Sequence, residues 1–358
     1  MIKNTHIWLP AYIAQNVRRL VDNGSGRSSH LLFCIADHFE PYWRKPHPSV
    51  ALGRVMDWID RYPKIARRHK DADGRSPKLT LFYPEEEYDE AIFAAIADFC
   101  RLGYAEVEIH LHHDCDTSEG FRNKLIGFKK ILAERHGLLS RNKETGEIQY
   151  GFIHGNFALD NSRRDGRWCG VNNELSILEE TGCYADFTEP SAPGDTQTAK
   201  INSIYYAIDD PLSPKSHNTG FDLEAGKRGG EGLVMIQGPL TLNWRRRKWG
   251  VFPRIENGSV AASTRILRDR VALWVSQRIH VKGRPDWIFV KVYTHGCQES
   301  NKDYLLSEGL ERLFSILEEE ANLPFRAMMD YRLCLTNDFK HEDPFSHDAF
   351  SSSPSILI

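Results

Sequence analysis

The stretch Glu106-Val-Glu-Ile-His-Leu-His-His-Asp-Cys-Asp116 has the pattern of a strand that ends in three histidines and two aspartates. In an extended chain alternate residues share a face, so His110, His112 and Asp114 are predicted to project together while His113 points away. Imidazole and carboxylate groups that converge at a strand end suit zinc or a similar divalent ion. A polar strand edge with ordinary solvated histidines is the alternative, and the density of histidines between acidic residues favours the metal site.

Three other apolar runs end in the same way. Leu31–Ala36 is followed by Asp37 and His38, Tyr150–Ile153 by His154 and a glycine, and Trp287–Thr294 by His295 and a glycine. In α/β sheets the reactive groups gather where parallel strands end. Asp37 could instead begin a turn before Pro41, as aspartates commonly do in loops.

Strand-like runs alternate with helical runs along the chain, which predicts a parallel sheet covered by helices. The predicted strands are 31–36, 78–83, 105–112, 150–154, 184–187, 233–237 and 287–294. The predicted helices are 49–69, 86–102, 119–136, 172–181 and 262–281. Seven such strands with intervening helices indicate an α/β fold in the form of a (β/α) barrel.

The chain is expected to form a single domain over residues 1–335. A long insertion at about 189–232 is rich in Pro, Gly, Ser and Asp, and a segment at 203–208 within it could be a strand or a hairpin arm. Because a loop of this length in a compact domain is usually functional or disordered, we expect a lid over the barrel mouth. The tail at 336–358 is expected to be poorly ordered.

With these strand ends the sequence resembles the polysaccharide deacetylase superfamily, the metal-dependent carbohydrate esterases that fold as an irregular (β/α) barrel. Members carry an acidic pair after the first strand, a His-x-x-x-His motif after a later strand and a histidine near the last strand. In this sequence Asp37-His38 stands at the first place, His110-x-x-x-Asp114 at the second and His295 at the third. The resemblance spans about residues 30 to 300.

The resemblance implies a divalent metal, with zinc expected, held by two histidines and one aspartate. His38, His110 and Asp114 restore that composition with two positions exchanged. His112 and His154 are expected as additional ligands or as groups that orient the ligands.

The resemblance also implies an acid and a base for metal-assisted hydrolysis. By family position Asp37 would act as general base and His295 would protonate the leaving amine. Asp37 and His38 can both face inward only if the turn after Ala36 breaks the strand alternation.

Two segments bear on the substrate. The segment from Trp244 to Trp249 sets four cations between two tryptophans, and guanidinium groups such as those of Arg245 and Arg246 suit carboxylate or phosphate. The segment therefore predicts recognition of an anionic or phosphate-linked carbohydrate, although cations that cover aromatic faces on a helix would give the same pattern. Asn156, which follows a proposed site strand, is a candidate contact for sugar hydroxyls.

Composition restricts the class of protein. A net charge of -3 over 358 residues argues against general nucleic-acid binding. No apolar stretch is long enough to span a bilayer, and the N-terminus lacks a signal-peptide core, so a cytoplasmic protein is expected. The odd number of cysteines, seven, and the absence of CxxC pairs favour reduced thiols.

The expected function is metal-dependent hydrolysis of a carbohydrate, by N- or O-deacetylation of a polysaccharide, an oligosaccharide or its glycan precursor. One alternative is a glycoside hydrolase or lyase on a related barrel, for which Glu40, Glu174, Asp209 and Asp210 could supply the carboxylate pair. A non-catalytic sugar-binding barrel is another alternative, since fold does not fix function.

Overall fold

The computed structural model describes residues 3–21, 30–143, 145–227, 231–319 and 325–327. Its α-helices are α1 (Thr5–Val21), α2 (Pro48–Ala66), α3 (Glu90–Arg101), α4 (Ser118–Lys130), α5 (Glu174–Glu180), α6 (Arg268–Ser276), α7 (Glu299–Tyr304) and α8 (Leu310–Glu319). Its strands are β1 (His30–His38), β2 (Leu79–Pro84), β3 (Ala105–Leu111), β4 (Ser140–Arg141), β5 (Ile148–His154), β6 (Cys183–Asp186), β7 (Ile204–Ala207), β8 (Phe221–Asp222), β9 (Leu233–Ile236), β10 (Thr241–Lys248), β11 (Phe252–Glu256), β12 (Trp287–Thr294) and β13 (Phe325–Ala327).

The main sheet has the order β12-β1-β2-β3-β5-β6-β9-β7-β8. From β12 to β9 every pairing is parallel, which gives the seven predicted strands. The predicted α/β class, an irregular (β/α) barrel of about seven parallel strands, is confirmed. β7 then joins β9 antiparallel, and β8 joins β7 antiparallel.

The sheet curls around a core of its own. Side chains from strands near opposite ends of the order, Phe289 on β12 and Val234 on β9, belong to one buried cluster together with Leu32 on β1. A flat sheet would keep such strands apart, so the even-numbered side chains of β1 face an enclosed interior. We call this the inner face.

The opposite face of the sheet packs against helices. Leu31, Phe33 and Ile35 alternate with the inner residues of β1 and lie in a larger cluster that includes Trp58 of α2. On β3 the same outer face carries Val107, Ile109 and Leu111, among others. The alternation of β3 therefore directs its even-numbered residues inward and its odd-numbered residues toward the helices.

Capping residues begin the helices that flank the histidine-rich strand. The Asp89 side chain accepts hydrogen bonds from the backbone N–H groups of Ala91 and Ile92 at the start of α3. The Thr117 hydroxyl accepts from Gly120 N at 3.0 Å at the start of α4. These caps satisfy amide groups that have no partner within the helix, and they fix where the chain leaves β2 and β3.

The predicted insertion at 189–232 contains a strand at the predicted 203–208 segment, β7, and it packs partly on the N-terminal helix. Trp8 of α1 is fully buried in a cluster with Ala192, Ile201 and Leu240. Residues 228–230 and the predicted tail at 336–358 lie outside the described residues. The lid role of the insertion stays a prediction.

Among the described helices none is long and apolar enough to cross a membrane.

A buried lysine ties β12 to the chain that follows β6. Lys291 is 1% exposed, and its ammonium group donates to the backbone carbonyls of Phe187 and Glu189. Burial lowers the pKa of Lys291 to about 8, against the opposing effect of Asp186. The lysine thus links the far edge of the parallel strands to the region beyond β6.

We expect Lys291→Ala to lower the free energy of unfolding by about 3–5 kcal/mol, the usual cost of removing one member of a buried charged network. The two carbonyls lose their donor and Asp186 loses its nearby cation. Urea unfolding of the full chain measures the loss. Lys282→Ala, which removes an exposed pair with Glu224, is the matched control and should leave the free energy of unfolding nearly unchanged. Equal losses in the two variants would contradict this account of Lys291.

Candidate functional site

Side chains from three strand ends meet at the carboxyl edge of the inner face. His38 ends β1 and Glu40 follows it, His110 and His112 lie at the end of β3, and His295 follows β12. We call these five residues the histidine–glutamate cluster. They converge because β12, β1, β2 and β3 are parallel neighbours whose carboxyl ends share one edge.

The rings of the cluster are close together. His38 lies 4.9 Å from His110 and 4.7 Å from His295 between ring centroids, and His110 lies 4.5 Å from His112. Ligand atoms of Glu40, His110 and His112 all lie within 4.8 Å of one another, as do those of His38, Glu40 and His295. Each triad has the composition that the resemblance implied, two imidazoles and one carboxylate.

The two ring nitrogens of His110 have different surroundings. Its Nδ1 lies 2.7 Å from the carbonyl oxygen of Ile153, and a carbonyl can only accept, so Nδ1 carries a proton. Its Nε2 is buried, has no hydrogen-bond partner among the described residues and lies 3.4 Å from Glu40 Oε1. A buried nitrogen with a free lone pair beside a carboxylate fits a cation between them.

His112 has a similar arrangement with a carboxylate behind it. Its Nδ1 lies 2.5 Å from Glu86 Oε1 and its Nε2 lies 3.6 Å from Glu40 Oε1. The His112 side chain is 31% exposed. Glu86 therefore fixes the His112 ring so that Nε2 faces Glu40. His112 lies on the side of the cluster that solvent reaches.

Burial and neighbouring charges together set the pKa values of His38 and Glu40. Burial lowers the pKa of His38 well below its usual value, and His295 and His110 lower it further. Burial acts against the charged form of Glu40, yet His110 and the other histidines outweigh it and lower the pKa of that carboxyl. Glu40 is thus an anion among imidazoles, which is the charge state of a metal ligand.

Asp114 is not part of this cluster, and the predicted set of His38, His110 and Asp114 is corrected. β3 ends at Leu111, and the chain turns at Cys115, which has φ 49°, so the alternation does not extend to Asp114. The Asp114 side chain is exposed and accepts a hydrogen bond from Trp168 N at 2.6 Å. Glu40 occupies the carboxylate position instead.

Asp37 and His38 lie on opposite faces of the sheet. β1 stays extended through both residues, with Asp37 paired to Thr294 and Leu81, so the expected break after Ala36 does not occur. Asp37 Oδ1 accepts from Gly296 N at 2.6 Å, on the side of Trp58. Burial raises the pKa of Asp37 to about 7, against the effect of the Gly296 N–H. The structure thus places Asp37 behind His295 and not beside His38, contrary to the role of general base.

The two backbone groups of Gly296 are held from both sides. Asp37 accepts from its N–H, and Trp58 Nε1 donates to its carbonyl at 3.0 Å. His295 precedes this fixed residue and is half-buried. Burial lowers the pKa of His295 against the effect of Glu40, so its imidazole is neutral near neutral pH.

The two remaining histidines at the ends of these strands form a separate group. His154, expected as an additional ligand or an orienting group, and His113, predicted to point away, both lie on the outer face with Cys169 and Glu174. Asn156 adopts φ 55° in the turn after β5 and is exposed. Its neighbour Phe157 lies 5.8 Å from the His38 ring, so the turn reaches the cluster.

The basic segment forms a β-hairpin, not a helix. Trp244, Arg245 and Arg246 lie on β10, which pairs antiparallel with β11, and Trp249 is in the connecting turn. Trp244 and Trp249 are exposed, and Arg245 lines a cavity with Arg268 and Arg312. None of the contacts described joins this hairpin to the histidine–glutamate cluster. Recognition of an anionic group by the hairpin stays a prediction.

Of the four carboxylates proposed for a glycosidase, Glu40 alone belongs to the cluster. Glu174 lies in the outer group, and Asp209 accepts from Ser176 N. Asp210 accepts from Leu212 N in an exposed turn. Glu86, which follows β2, was missed by sequence reasoning, although the run of acidic residues at the end of that neighbouring strand was a usable signal.

The chain has a distant structural similarity to a known protein. No protein-family profile matches the chain, and no curated protein matches it. The crystal structure of a GH57 branching enzyme from the hyperthermophilic archaeon Thermococcus kodakaraensis, in complex with glucose, is similar with a TM-score of 0.43 and 9% identity, over 92% of this chain and 76% of that chain. The resemblance to polysaccharide deacetylases therefore stays a prediction.

We expect Gly296→Ala to destabilise the protein by about 1–3 kcal/mol, the typical cost of overpacking. An added Cβ would lie 2.1 Å from Asp37 Oδ2 and 2.8 Å from the Trp58 ring, and both groups are buried. Thermal unfolding measures the effect. Gly53→Ala in α2 is the control, because nothing lies within 4 Å of its added Cβ, and it should stabilise by about 0.5–1 kcal/mol. A Gly296→Ala protein as stable as wild type would refute the close packing.

Proposed function

We propose that this protein is a metal-dependent hydrolase that acts on a carbohydrate. The observation that carries the proposal is the convergence of four imidazoles and the Glu40 carboxylate at the carboxyl edge of the inner face. Polar donors at this edge of a parallel α/β sheet are where such folds place catalysis.

Glu40, His110 and His112 are the residues that would hold the metal. Both histidines are fixed through Nδ1, by the Ile153 carbonyl and by Glu86, and both present Nε2 to Glu40. This is the arrangement in which outer partners set the tautomer of metal-binding histidines. Two imidazoles and a carboxylate, with the His112 side open to solvent, match a catalytic zinc site that keeps a free position.

His295 would transfer protons, and Asp37 would position His295. Glu40, His110 and His112 would hold a divalent cation, which would supply Lewis-acid chemistry to the substrate carbonyl and to water. The neutral imidazole of His295 would take a proton from the attacking water and return it to the leaving nitrogen or oxygen. The water oxygen bonds to the carbonyl carbon, and the C–N or C–O bond breaks to release an acid and an amine or alcohol. Asp37 acts through Gly296, which it holds, and is a positioning residue for His295.

Aromatic rings beside the cluster support a sugar ligand. Phe157 and Tyr293 lie 5.8 Å and 5.9 Å from the His38 ring, and both are partly exposed. Pockets for small ligands combine such rings with a few polar groups, and the exposed Asn156 amide is next to Phe157. These features support a sugar as the ligand, and the reaction that we propose is removal of an acyl group from it.

Cleavage of a glycosidic bond is the second candidate. Glu40 has a lowered pKa, whereas burial raises the pKa of Glu87 to about 7, against the Tyr42 N–H that it accepts. The charges of Glu40 and His112 also act on the pKa of Glu87. A pair of carboxyl groups with pKa values moved apart is the pattern of an acid and its partner in glycosidases.

We expect Glu40→Gln to lose the cluster's metal, because an amide replaces the charged ligand. Elemental analysis of the purified full chain, with circular dichroism to confirm folding, measures the loss. Asp114→Asn is the matched control and should keep wild-type metal content, since Asp114 is exposed and outside the cluster. Metal lost from Asp114→Asn, or kept in full by Glu40→Gln, would sink this ligand assignment.

We expect His295→Ala to keep its metal and to lose about 10²–10⁴ in rate, the usual worth of a positioned acid or base. The assay incubates acetylated oligosaccharides with the full chain and separates released acetate and free amine from new reducing ends. Acetate with free amine supports amide hydrolysis and acetate alone supports ester hydrolysis. New reducing ends alone would move the conclusion to the glycosidase, and loss of metal from His295→Ala would make that residue a ligand.

A further inference from the structure

We propose that His113, His154, Cys169 and Glu174 form a second metal site, which holds a zinc-like ion as a structural clamp. We call these four residues the outer cluster. Their ligand atoms all lie within 4.8 Å of one another, and all four residues are buried. The site is separate from the proposed catalytic centre and does not depend on its function.

The ligand atoms of the outer cluster point at a common centre. His113 Nε2 lies 2.8 Å from His154 Nε2. Oε1 of Glu174 lies 3.1 Å from the first of these nitrogens and 3.3 Å from the second. Two ring nitrogens and a carboxylate oxygen thus crowd one small volume in the protein interior.

One N–H group, that of His113 Nε2, lies among the crowded atoms of the outer cluster. His154 Nδ1 lies 2.6 Å from the Gly155 carbonyl oxygen and must therefore carry the proton. His113 Nδ1 lies 3.1 Å from Asp116 Oδ2 without a hydrogen bond between them, so in the metal-free chain the His113 proton is on Nε2, which donates toward His154 Nε2 and Glu174 Oε1. A divalent cation that displaced this proton would meet both Nε2 atoms and the Glu174 carboxylate.

Two backbone N–H groups approach the sulfur of Cys169. The backbone N–H groups of Asn161 and Val171 lie 3.3 Å and 3.4 Å from Sγ as donors. In the metal-free chain the Cys169 thiol donates to Glu174 Oε2 at 3.3 Å, and a bound metal would take the place of that proton. Amide hydrogen bonds to sulfur are a way in which proteins stabilise thiolate ligands. Two imidazoles, a thiolate and a carboxylate give the four donors that a closed tetrahedral zinc site takes.

The strand alternation keeps the two clusters apart. His110 and His112 face inward, whereas His113 faces outward, where its ring stacks on Phe121 of α4 with centroids 4.9 Å apart. His154 shares the outer face with Phe152. The inner cluster has no cysteine, so a metal–thiolate signal would report the outer cluster alone.

A metal here would fasten the contorted chain between β5 and α5. Asn156, Phe157, Asp160, Asn161 and Trp168 all have positive φ, a conformation that costs energy for residues other than glycine. The clamp would join the end of β3 and the end of β5 to Cys169 and to the first residue of α5. Because Phe157 lies in this segment and beside His38, the clamp would also hold one wall of the inner site.

The test loads the metal-depleted full chain with Co²⁺ and records the near-ultraviolet thiolate-to-cobalt charge-transfer absorption with the metal stoichiometry. We expect wild type to show this absorption. Cys169→Ser should abolish it, and Cys169→Asp should abolish it while keeping the ion, because aspartate can still ligate. Cys183→Ser, which changes another buried thiol, is the matched control and should keep the absorption.

Glu40→Gln separates this inference from the proposed function. It should remove about one equivalent of metal and leave the thiolate absorption unchanged. Folded wild type that binds Co²⁺ without the absorption overturns the outer site, even when Glu40-dependent metal is present. The absorption surviving in Cys169→Ser, or lost in Cys183→Ser, also overturns it. Intact absorption with no Glu40-dependent metal supports the outer site and refutes the catalytic one.

Discussion

The two-residue alternation of β3 decides which of the two clusters each histidine at its end belongs to. His110 and His112 project to the inner face because they share the parity of Glu106 and Glu108, which are buried there beside Thr80 and Tyr184. His113 has the parity of Val107 and Ile109 and meets the helices. A shift of one residue in register would exchange the two sets. The apolar outer face of β3 therefore fixes the register and, through it, both clusters.

Curvature of the sheet brings together site residues from different strands. His295 reaches His38 only because β12 pairs with β1 along the whole strand, from His30 with Trp287 to Asp37 with Thr294. That pairing is long-range, and the interior that it encloses contains Lys291 bonded to carbonyls beyond β6. The site is thus assembled by the same closure that buries the inner core, and neither can be altered alone.

The sequence predicted the parts of the site that depend on local pattern. The seven parallel strands, the inward pair His110 and His112, and the outward His113 all follow from apolar runs and their alternation. Asp114 was misplaced because alternation was extended beyond the last paired residue of β3. Asp37 was misplaced because the expected turn was set two residues too early in β1. The approach of Cys169 to His113 crosses a long irregular loop, and no periodic pattern encodes it.

One rule of hydrogen bonding prepares histidines in both clusters. In each cluster a carbonyl accepts from Nδ1 of one histidine, Ile153 for His110 and Gly155 for His154, which leaves Nε2 as a lone pair directed at a carboxylate, Glu40 inside and Glu174 outside. The two clusters differ in their exposure to solvent, and this difference gives them different expected roles. The inner cluster has His112 31% exposed, so substrate and water can reach it, whereas His154 and Glu174 are 0% exposed. A closed site with four protein donors has no position left for a reactant. His154 ends β5, and Phe157 lies in the turn that follows. A rigid outer cluster would therefore fix the position of the Phe157 ring beside the histidine–glutamate cluster.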